Sequence, residues 1–147
     1  MKELRALSLT QPWATLVVTG EKKIETRSWA TRFEGVIAIH ASKGFPKDDR
    51  MLCYDEPFLS SLERHGYAGS DSLPVGKLIG TARVMGCRRT EDIAFQVGDR
   101  ESEFGNYGPS RFAWMLADFT FFRVLIPCVE HLGLWKVPSE IVERLSL

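Results

Sequence analysis

The chain has 147 residues and a mass of 16.6 kDa, and its 19 basic and 19 acidic residues give a formal net charge of zero. This balance argues against a protein that holds duplex nucleic acid by neutralising phosphates, because such proteins usually carry a basic surplus. The length predicts one domain over residues 1–147, large enough to fold without a disulfide or a metal. Three widely spaced cysteines and the lack of any long apolar run predict reduced thiols in a cytoplasmic protein with no membrane segment.

The predicted elements begin with a short helix in the sequence QPWATLVVTG, which Thr10 would cap and Gly20 would end. A strand is predicted over residues 24–29. The β-branched sequence GVIAIHA predicts a buried strand over Gly35–Ala41. Residues 46–66 have a helical pattern, which an internal proline divides into two helices.

The middle of the chain contains one strand and one long polar segment. Residues 77 to about 87 are predicted to form the strand. The polar segment, residues 88–109, predicts one helical turn near residues 91–95 and then a long loop. Long structured loops in compact domains are often functional, so this segment is a candidate for part of a site.

The last third predicts two strands and a helix. Apolar residues alternate from Phe112, and Asp118 is expected to mark a turn before a further strand over residues 120–129. The final helix would begin near Pro138. Five or six short strands with helices at the periphery indicate the α+β class, as a small β-barrel decorated with helices.

Chemistry-bearing residues are densest between Gly20 and Trp29, where five charges and two hydroxyls occur within ten residues. In a strand, Glu25, Arg27 and Trp29 would share one face, and Lys22 would lie in the preceding turn. Two interpretations are open: an inward-facing polar site, or a solvated strand with a surface ion pair of little energetic weight. Arg27 would accordingly contact a phosphate or pair with Glu25.

The pattern GxKxxExR formed by Gly20, Lys22, Glu25 and Arg27 resembles the signature of the ASCH domain family, a branch of the PUA-like superfamily. Further segments resemble the family in the same order, across about residues 4–138. They are LSLTQPWA at 7–14, IHASK at 39–43, LPVG at 73–76, LIG at 78–80, EFGNY at 103–107, RFAW at 111–114 and LGLW at 132–135.

This resemblance implies a PUA-like β-barrel with a cleft beside the first helix and the motif strand, and a link to RNA or nucleosides. Members of the family include RNA-binding modules, amidohydrolases that deacylate N4-acylcytidines, and proteins with ribonuclease activity. Our first hypothesis is an amidohydrolase acting on an N4-acylated cytosine nucleoside such as N4-acetylcytidine, because a small substrate suits the zero net charge. The alternatives are a non-catalytic RNA-binding module and a single-strand ribonuclease.

The resemblance also implies roles for individual residues. The amidohydrolase branch uses a lysine, a threonine three residues later and a distant glutamate, but here Glu25 stands where the threonine would be. We therefore predict Glu25 as a general base on water, with Lys22 keeping it ionised and stabilising the oxyanion. Glu103 is the candidate for a second carboxylate, acting on the leaving amine.

Six further residues are candidates for binding the ligand. Aromatic rings could stack on a base, or they could instead be core residues. Lys43 would contact a phosphate or an oxyanion, or remain a solvated turn residue, and Ser42 would hydrogen-bond the ligand or cap the strand. The set is Trp13, Arg27, Trp29, Ser42, Lys43 and Tyr107. No metal or other cofactor is predicted, because the three histidines lack ligand spacing. The expected partner is a small nucleoside substrate, with single-stranded RNA as the alternative, and the oligomeric state is left open.

Overall fold

The computed structural model describes residues 3–145, and over this range six strands and six short helices follow one another. The strands are β1 (Arg5–Leu9), β2 (Ile24–Arg27), β3 (Gly35–Ala41), β4 (Lys77–Arg89), β5 (Phe112–Pro127) and β6 (Leu134–Lys136). The helices are α1 (Trp13–Val18), α2 (Lys47–Leu52), α3 (Phe58–Glu63), α4 (Thr90–Ile93), α5 (Asp99–Phe104) and α6 (Ser139–Leu145). Two 3-10 turns lie at Ser70–Ser72 and Ala94–Gln96.

The six strands form one curled sheet, a half-barrel, in the order β2-β5-β4-β3-β1-β6. Strands β1 and β3 are parallel, and the other neighbouring pairs are antiparallel. Helices flank this sheet, which confirms the predicted α+β class. Because β2 lies at one edge of the sheet, the GxKxxExR strand pairs on one side only, and its other side is open to contacts from the loops.

The main core fills the space between the sheet and α1. It contains alternate residues of the strands, such as Leu7 and Leu9 of β1 and Ile37 and Ile39 of β3, packed against α1. Trp114 of β5 is completely buried in this core. The other face of β1 and β3 packs with β6 and α6 in a second cluster. The curled sheet therefore holds α1 beside β2, next to the candidate motif.

The start of α1 differs from the prediction. Thr10 is not its cap: Pro12 occupies the N-cap position and makes no side-chain hydrogen bond. The buried Gln11 supplies the acceptor instead, since its Oε1 takes the N–H of Thr15 at 3.0 Å. An amide side chain thus satisfies one of the free N–H groups of the first turn.

Three other segments differ from what the sequence pattern predicts. Asp118 does not end a strand: β5 continues through it, and Asp118 takes a positive φ of 52° where one extra residue of β5 bulges against β4. The segment expected to be a long loop contains α5, which has Asp99 and Glu101 in its first turn. Finally, Arg5–Leu9, for which the sequence pattern predicts no element, forms a strand between β3 and the edge strand β6.

Candidate functional site

A cavity of about 470 Å³ lies beside β2, between the start of α1 and the end of α5. Small-molecule sites in proteins commonly have volumes of about 300–1,000 Å³. Its lining residues come from five parts of the chain: Ser8, Leu9, Thr10, Trp13, Glu25, Thr26, Arg27, Leu52, Phe58, Glu103, Phe104, Gly105 and Asn106. Polar groups of β2 and an aromatic wall therefore line the same cavity.

Glu25 occupies the centre of an ion-pair triad. Its Oε1 accepts a hydrogen bond from Nζ of Lys22 at 2.8 Å, and its Oε2 accepts one from Nη1 of Arg27 at 3.0 Å. Lys22 Nζ also donates to the carbonyl of Ile24. Burial favours the neutral acid, but the lysine and the arginine outweigh it and hold the pKa of Glu25 below its ordinary value. Glu25 is therefore an ionised carboxylate at neutral pH.

The turn before β2 explains why a lysine can be buried here. Gly20 adopts a positive φ of 80° and donates its N–H to Val17, which ends α1. The N–H of Lys22 then bonds to the carbonyl of Leu16 at 2.9 Å, so the chain folds back along the helix. As a result, the Lys22 side chain is only 1% exposed and lies behind Glu25, outside the lining of the cavity.

Sequence reasoning missed Glu101, which fixes the same turn from the other side. Its Oε1 accepts the backbone N–H of Lys23, the residue before β2, at 2.8 Å. Burial raises the pKa of Glu101, although the Lys23 N–H and the Lys22 charge oppose the change. The acidic pattern of residues 99–103 gave no signal of which carboxylate would turn inward. The structure places Glu101 on the turn, while Glu103 lines the cavity.

One wall of the cavity is aromatic. Trp13 packs edge to face against Phe58, with ring centroids 6.0 Å apart, and Phe58 packs against Phe104 at 5.2 Å. The indole N–H of Trp13 donates to the carbonyl of Phe104 at 2.7 Å, which fixes the orientation of its ring. Phe58 and Phe104 were not predicted, because they resemble ordinary core positions of α3 and α5 until the fold brings them to Trp13.

Four predicted site residues line the cavity together: Trp13, Glu25, Arg27 and Glu103. Lys22 joins them through its contact with Glu25. The Glu103 side chain is exposed, and α5, which ends at Phe104, brings it to the cavity. Arg27 and Glu25 are neighbours on one strand face, so of the two roles left open for Arg27 the structure shows the pairing.

The other predicted ligand contacts lie outside the cavity lining. Trp29 packs edge to face on Trp114 at 4.8 Å, and the guanidinium of Arg27 lies 5.6 Å from its ring centre. Tyr107 packs beside Ile24 in a cluster on β2 and β5, and its hydroxyl is buried without a partner among the described residues. These two aromatic rings support β2 instead of lining the cavity.

Ser42 and Lys43 also lie elsewhere, beyond the end of β3. The N–H of Ser42 continues the pairing with β1 by bonding to Leu9 at 2.9 Å. Lys43 is exposed, donates its N–H to Glu130 at 2.9 Å, and lines a different groove with Pro127 and neighbouring residues. Because β3 ends beside the start of β4 and the end of β5, whereas β2 pairs with the start of β5, the chain carries Lys43 away from β2.

No group of three His, Cys, Asp or Glu side chains within residues 3–145 is arranged to hold a metal ion. Over the same range, no helix has the length and apolar character needed to cross a membrane.

Comparison with known proteins identifies the family. Residues 7–119 match the ASCH domain, and the chain belongs to the ASCH domain family. Crystal structures of an ASCH protein from Zymomonas mobilis share its PUA-like fold. The TM-score is 0.60 at 17% identity for one of them, covering 97% of this chain and 92% of that one. A point mutant of the bacterial protein also has a TM-score of 0.60, at 16% identity, and covers 99% of this chain and 97% of that chain.

Curated relatives are much longer proteins. Activating signal cointegrator 1 from Mus musculus and from Homo sapiens are each 27% identical to this chain over 135 residues. The match covers 92% of this chain but only 22% of each relative. The chain therefore spans about a fifth of the length of these relatives.

Proposed function

We propose that this ASCH domain hydrolyses the amide of an N4-acylated cytosine nucleoside such as N4-acetylcytidine. Water would supply a hydroxyl to the acyl carbon and a proton to N4, so that the products are cytidine and a carboxylic acid. The observation that carries the proposal is the Glu25–Arg27 pair. It presents an ionised carboxylate and a cation to a cavity that also has an aromatic wall.

The cavity offers matched contacts for such a substrate. A pyrimidine ring can pack on the aromatic wall of Trp13, Phe58 and Phe104, where each stacking contact is worth about 1–3 kcal/mol. Glu25 retains acceptor capacity beside its two ion pairs, because a carboxylate can accept about four hydrogen bonds. It can therefore accept the amide N–H of the substrate. Arg27 lies next to it and can donate to the acyl carbonyl oxygen.

The same groups supply the chemistry. In the transition state, Glu25 accepts the proton of the attacking water and returns it to the leaving nitrogen, so the carboxylate is regenerated. Arg27 stabilises the oxyanion of the tetrahedral intermediate, a role that suits it better than Lys22 because Lys22 is shielded behind Glu25. Glu103, which also lines the cavity, can hydrogen-bond the departing amino group.

A second candidate function is recognition of a cytosine base in single-stranded RNA without chemistry. The specific observation in its favour is that both oxygens of Glu25 are in ion pairs that lower its pKa. A carboxylate held in this way is a weaker base but a good acceptor for an amino group. The ribonuclease alternative gains no support, since Lys22 is buried in its ion pair and Lys43 lines a different groove.

Release of cytidine from N4-acetylcytidine, followed by chromatography, tests the proposal. The wild-type chain should turn over the substrate, and Glu25→Gln should reduce kcat by about 10²–10⁴, the usual contribution of a general base. Lys23→Met is the matched control, because Lys23 is an exposed neighbour whose ammonium group bonds only to the carbonyl of Gly20 among the described residues. Tight binding of cytidine without turnover would favour the binding module, and full activity of Glu25→Gln would remove Glu25 as the base.

A further inference from the structure

We propose that Asn106 determines which base the cavity accepts. Its side-chain amide would donate a hydrogen bond to N3 of the pyrimidine while Glu25 accepts one from N4, so that cytosine is bound and uracil is rejected. The inference rests on the proposed function for the position of the base. It concerns recognition of the ring edge, however, and can be measured by binding without turnover.

The main chain of Asn106 is held against β2. Its N–H donates to the hydroxyl of Thr26 at 2.9 Å, and its carbonyl accepts a hydrogen bond from Nε of Arg111 at 3.2 Å. Nη2 of Arg111 donates in turn to the carbonyl of Thr26 at 3.2 Å. Gly105 allows this close approach, because a Cβ atom at its position would lie 3.1 Å from the Thr26 hydroxyl oxygen. Asn106 is therefore fixed beside the residue that follows Glu25.

The orientation of the Asn106 amide is fixed as well. Its Oδ1 accepts the backbone N–H of Gly108 at 3.0 Å, and only the oxygen of an amide group can accept from an N–H. Nδ2 therefore occupies the other position of the amide. Asn106 is exposed and lines the cavity, and within residues 3–145 its Nδ2 makes no hydrogen bond. The two N–H groups of Nδ2 are thus available to a ligand, and binding one costs little further ordering of the side chain.

The amide of Asn106 differs from the other neutral polar groups of the cavity lining. The hydroxyls of the lining serine and threonines can donate or accept, so they do not discriminate between ring edges. The indole N–H of Trp13 can only donate, but the carbonyl of Phe104 already accepts it. Among the described lining residues, Asn106 is thus the neutral side chain whose N–H donors are both fixed and uncommitted.

Glu25 and Asn106 together match the edge of cytosine. N4 of cytosine carries hydrogen and the neighbouring N3 is an acceptor, so the ring presents a donor beside an acceptor. A carboxylate and an amide N–H group supply the opposite pair. Uracil has the reverse order, with an acceptor at O4 and a hydrogen on N3, so both contacts would be unfavourable. An acyl group on N4 leaves one N–H there, and the same edge is therefore present in the substrate of the proposed reaction.

Calorimetric titration with cytidine and with 3-deazacytidine tests the contact. The second ligand has a C–H group in place of N3 and keeps the amino group and the sugar. Wild type should bind cytidine about three- to ten-fold more tightly, which is the usual effect of one neutral hydrogen bond. Asn106→Asp should abolish or reverse this preference, because it keeps an oxygen for the N–H of Gly108 but replaces the donor with an acceptor.

Two further variants complete the titration. Ser102→Asp is the matched control, since it adds the same charge at an exposed position of α5 that lies outside the cavity lining, and it should keep the wild-type preference. Asn106→Ser retains a short acceptor for the N–H of Gly108 and removes the amide, so it should also bring the two affinities together. Equal affinity of wild type for the two ligands would overturn the inference. So would an unchanged preference in both Asn106 variants, or an equal loss of both ligands in them.

Hydrolysis assays separate this inference from the proposed reaction. A preference for cytidine that depends on Asn106, without any turnover of N4-acetylcytidine, would leave the base contact intact and end the proposed reaction. Turnover of N4-acetylcytidine and of its 3-deaza analogue with the same kcat/KM would keep the reaction and overturn the inference. Failure of wild type to bind either cytidine or 3-deazacytidine would also overturn it.

Discussion

Lys22 is a buried cation whose ammonium group contacts Glu25 and the carbonyl of Ile24. Removing one partner of a buried ion pair leaves the other charge poorly compensated, and such changes cost about 3–5 kcal/mol. Lys22→Met should lower the free energy of unfolding by about that amount in urea denaturation. It should also raise the pKa of Glu25 toward its ordinary value, because the largest favourable influence on the carboxylate is lost.

The neighbouring Lys23 offers the control for this prediction. Lys23 is exposed, so Lys23→Met should change the free energy of unfolding by no more than about 0.5 kcal/mol. A double variant with Lys22→Met and Glu25→Gln should be less destabilised than Lys22→Met alone, since it buries no unmatched carboxylate. If Lys22→Met proves as stable as Lys23→Met, the ion pair does not stabilise the fold.

At the residue scale, the sequence predicted the motif better than the rest of the site. Alternation within a short strand was enough to put Glu25 and Arg27 on one face, because that relation is local. The burial of Lys22 depends on how the turn folds back on α1, and the aromatic wall depends on contacts between distant helices. Lys43 lies away from the cavity for the same reason. Its position in the motif shows that it follows β3, but not at which end of the sheet β3 ends.

At the scale of elements, the packing of α1 on the sheet depends on Gly80 of β4. A Cβ atom at this position would lie 2.1 Å from the carbonyl oxygen of Thr120 and within 3 Å of Val18, so neither the strand nor the helix has room for it. Gly80→Ala should therefore destabilise the fold by about 1–3 kcal/mol or more, as overpacked cores do. Urea denaturation measures the loss.

Gly86 on the same strand is the matched control. A Cβ there would meet no atom within 4 Å, and its φ is not in the left-handed region. Gly86→Ala should leave the free energy of unfolding within about 0.5 kcal/mol of wild type. Equal effects of the two substitutions would show that strand propensity, and not the close approach of α1, sets the requirement for glycine.

Helices and strands were predicted correctly where the sequence pattern of the segment itself determines its conformation. The β-branched run Gly35–Ala41 forms β3 with the predicted bounds, and the division of residues 46–66 into two helices is confirmed. Prediction was wrong where a partner strand decides the conformation. Asp118 has the character of a turn residue, but pairing with β4 on both sides absorbs it as a bulge.

At the scale of the whole molecule, the net charge of zero includes many charged groups that are held in local ion pairs and hydrogen bonds. Glu21 binds Arg64, His65 and Arg100, and so joins the motif turn to α3 and α5. The carboxylate of Glu101 accepts a backbone N–H of the same turn. Acidic residues that cancel the total charge are thus engaged in holding the structure together. Arg27 lines the cavity, so an overall neutral protein can still present a cation to a ligand there.

Neutral histidine in the interior links stability of the whole chain to pH. His40 is completely buried, with Nδ1 at 3.2 Å from the Ser8 hydroxyl and Nε2 at 2.7 Å from the carbonyl of Cys128. A carbonyl can only accept, so Nε2 carries the hydrogen. Burial lowers the pKa of His40 below 6.5, despite opposing effects of the Cys128 carbonyl and Glu130.

As pH falls below 6.5, the unfolded chain protonates His40 while the native chain keeps it neutral, so the unfolded state is favoured. The free energy of unfolding should therefore decrease from about pH 6.5, with a slope approaching 1.4 kcal/mol per pH unit at most. The free energy of unfolding should decrease further below pH 4.5. Because the pKa of Glu25 is lowered in the native state, the unfolded chain binds a proton at this carboxylate at a higher pH than the native chain does. His40→Asn should flatten the slope between pH 6.5 and 5, whereas substitution of the exposed His131 by Gln should preserve it. Stability that is constant from pH 7.5 to 5.5 in wild type would show that the native state accommodates a charged His40.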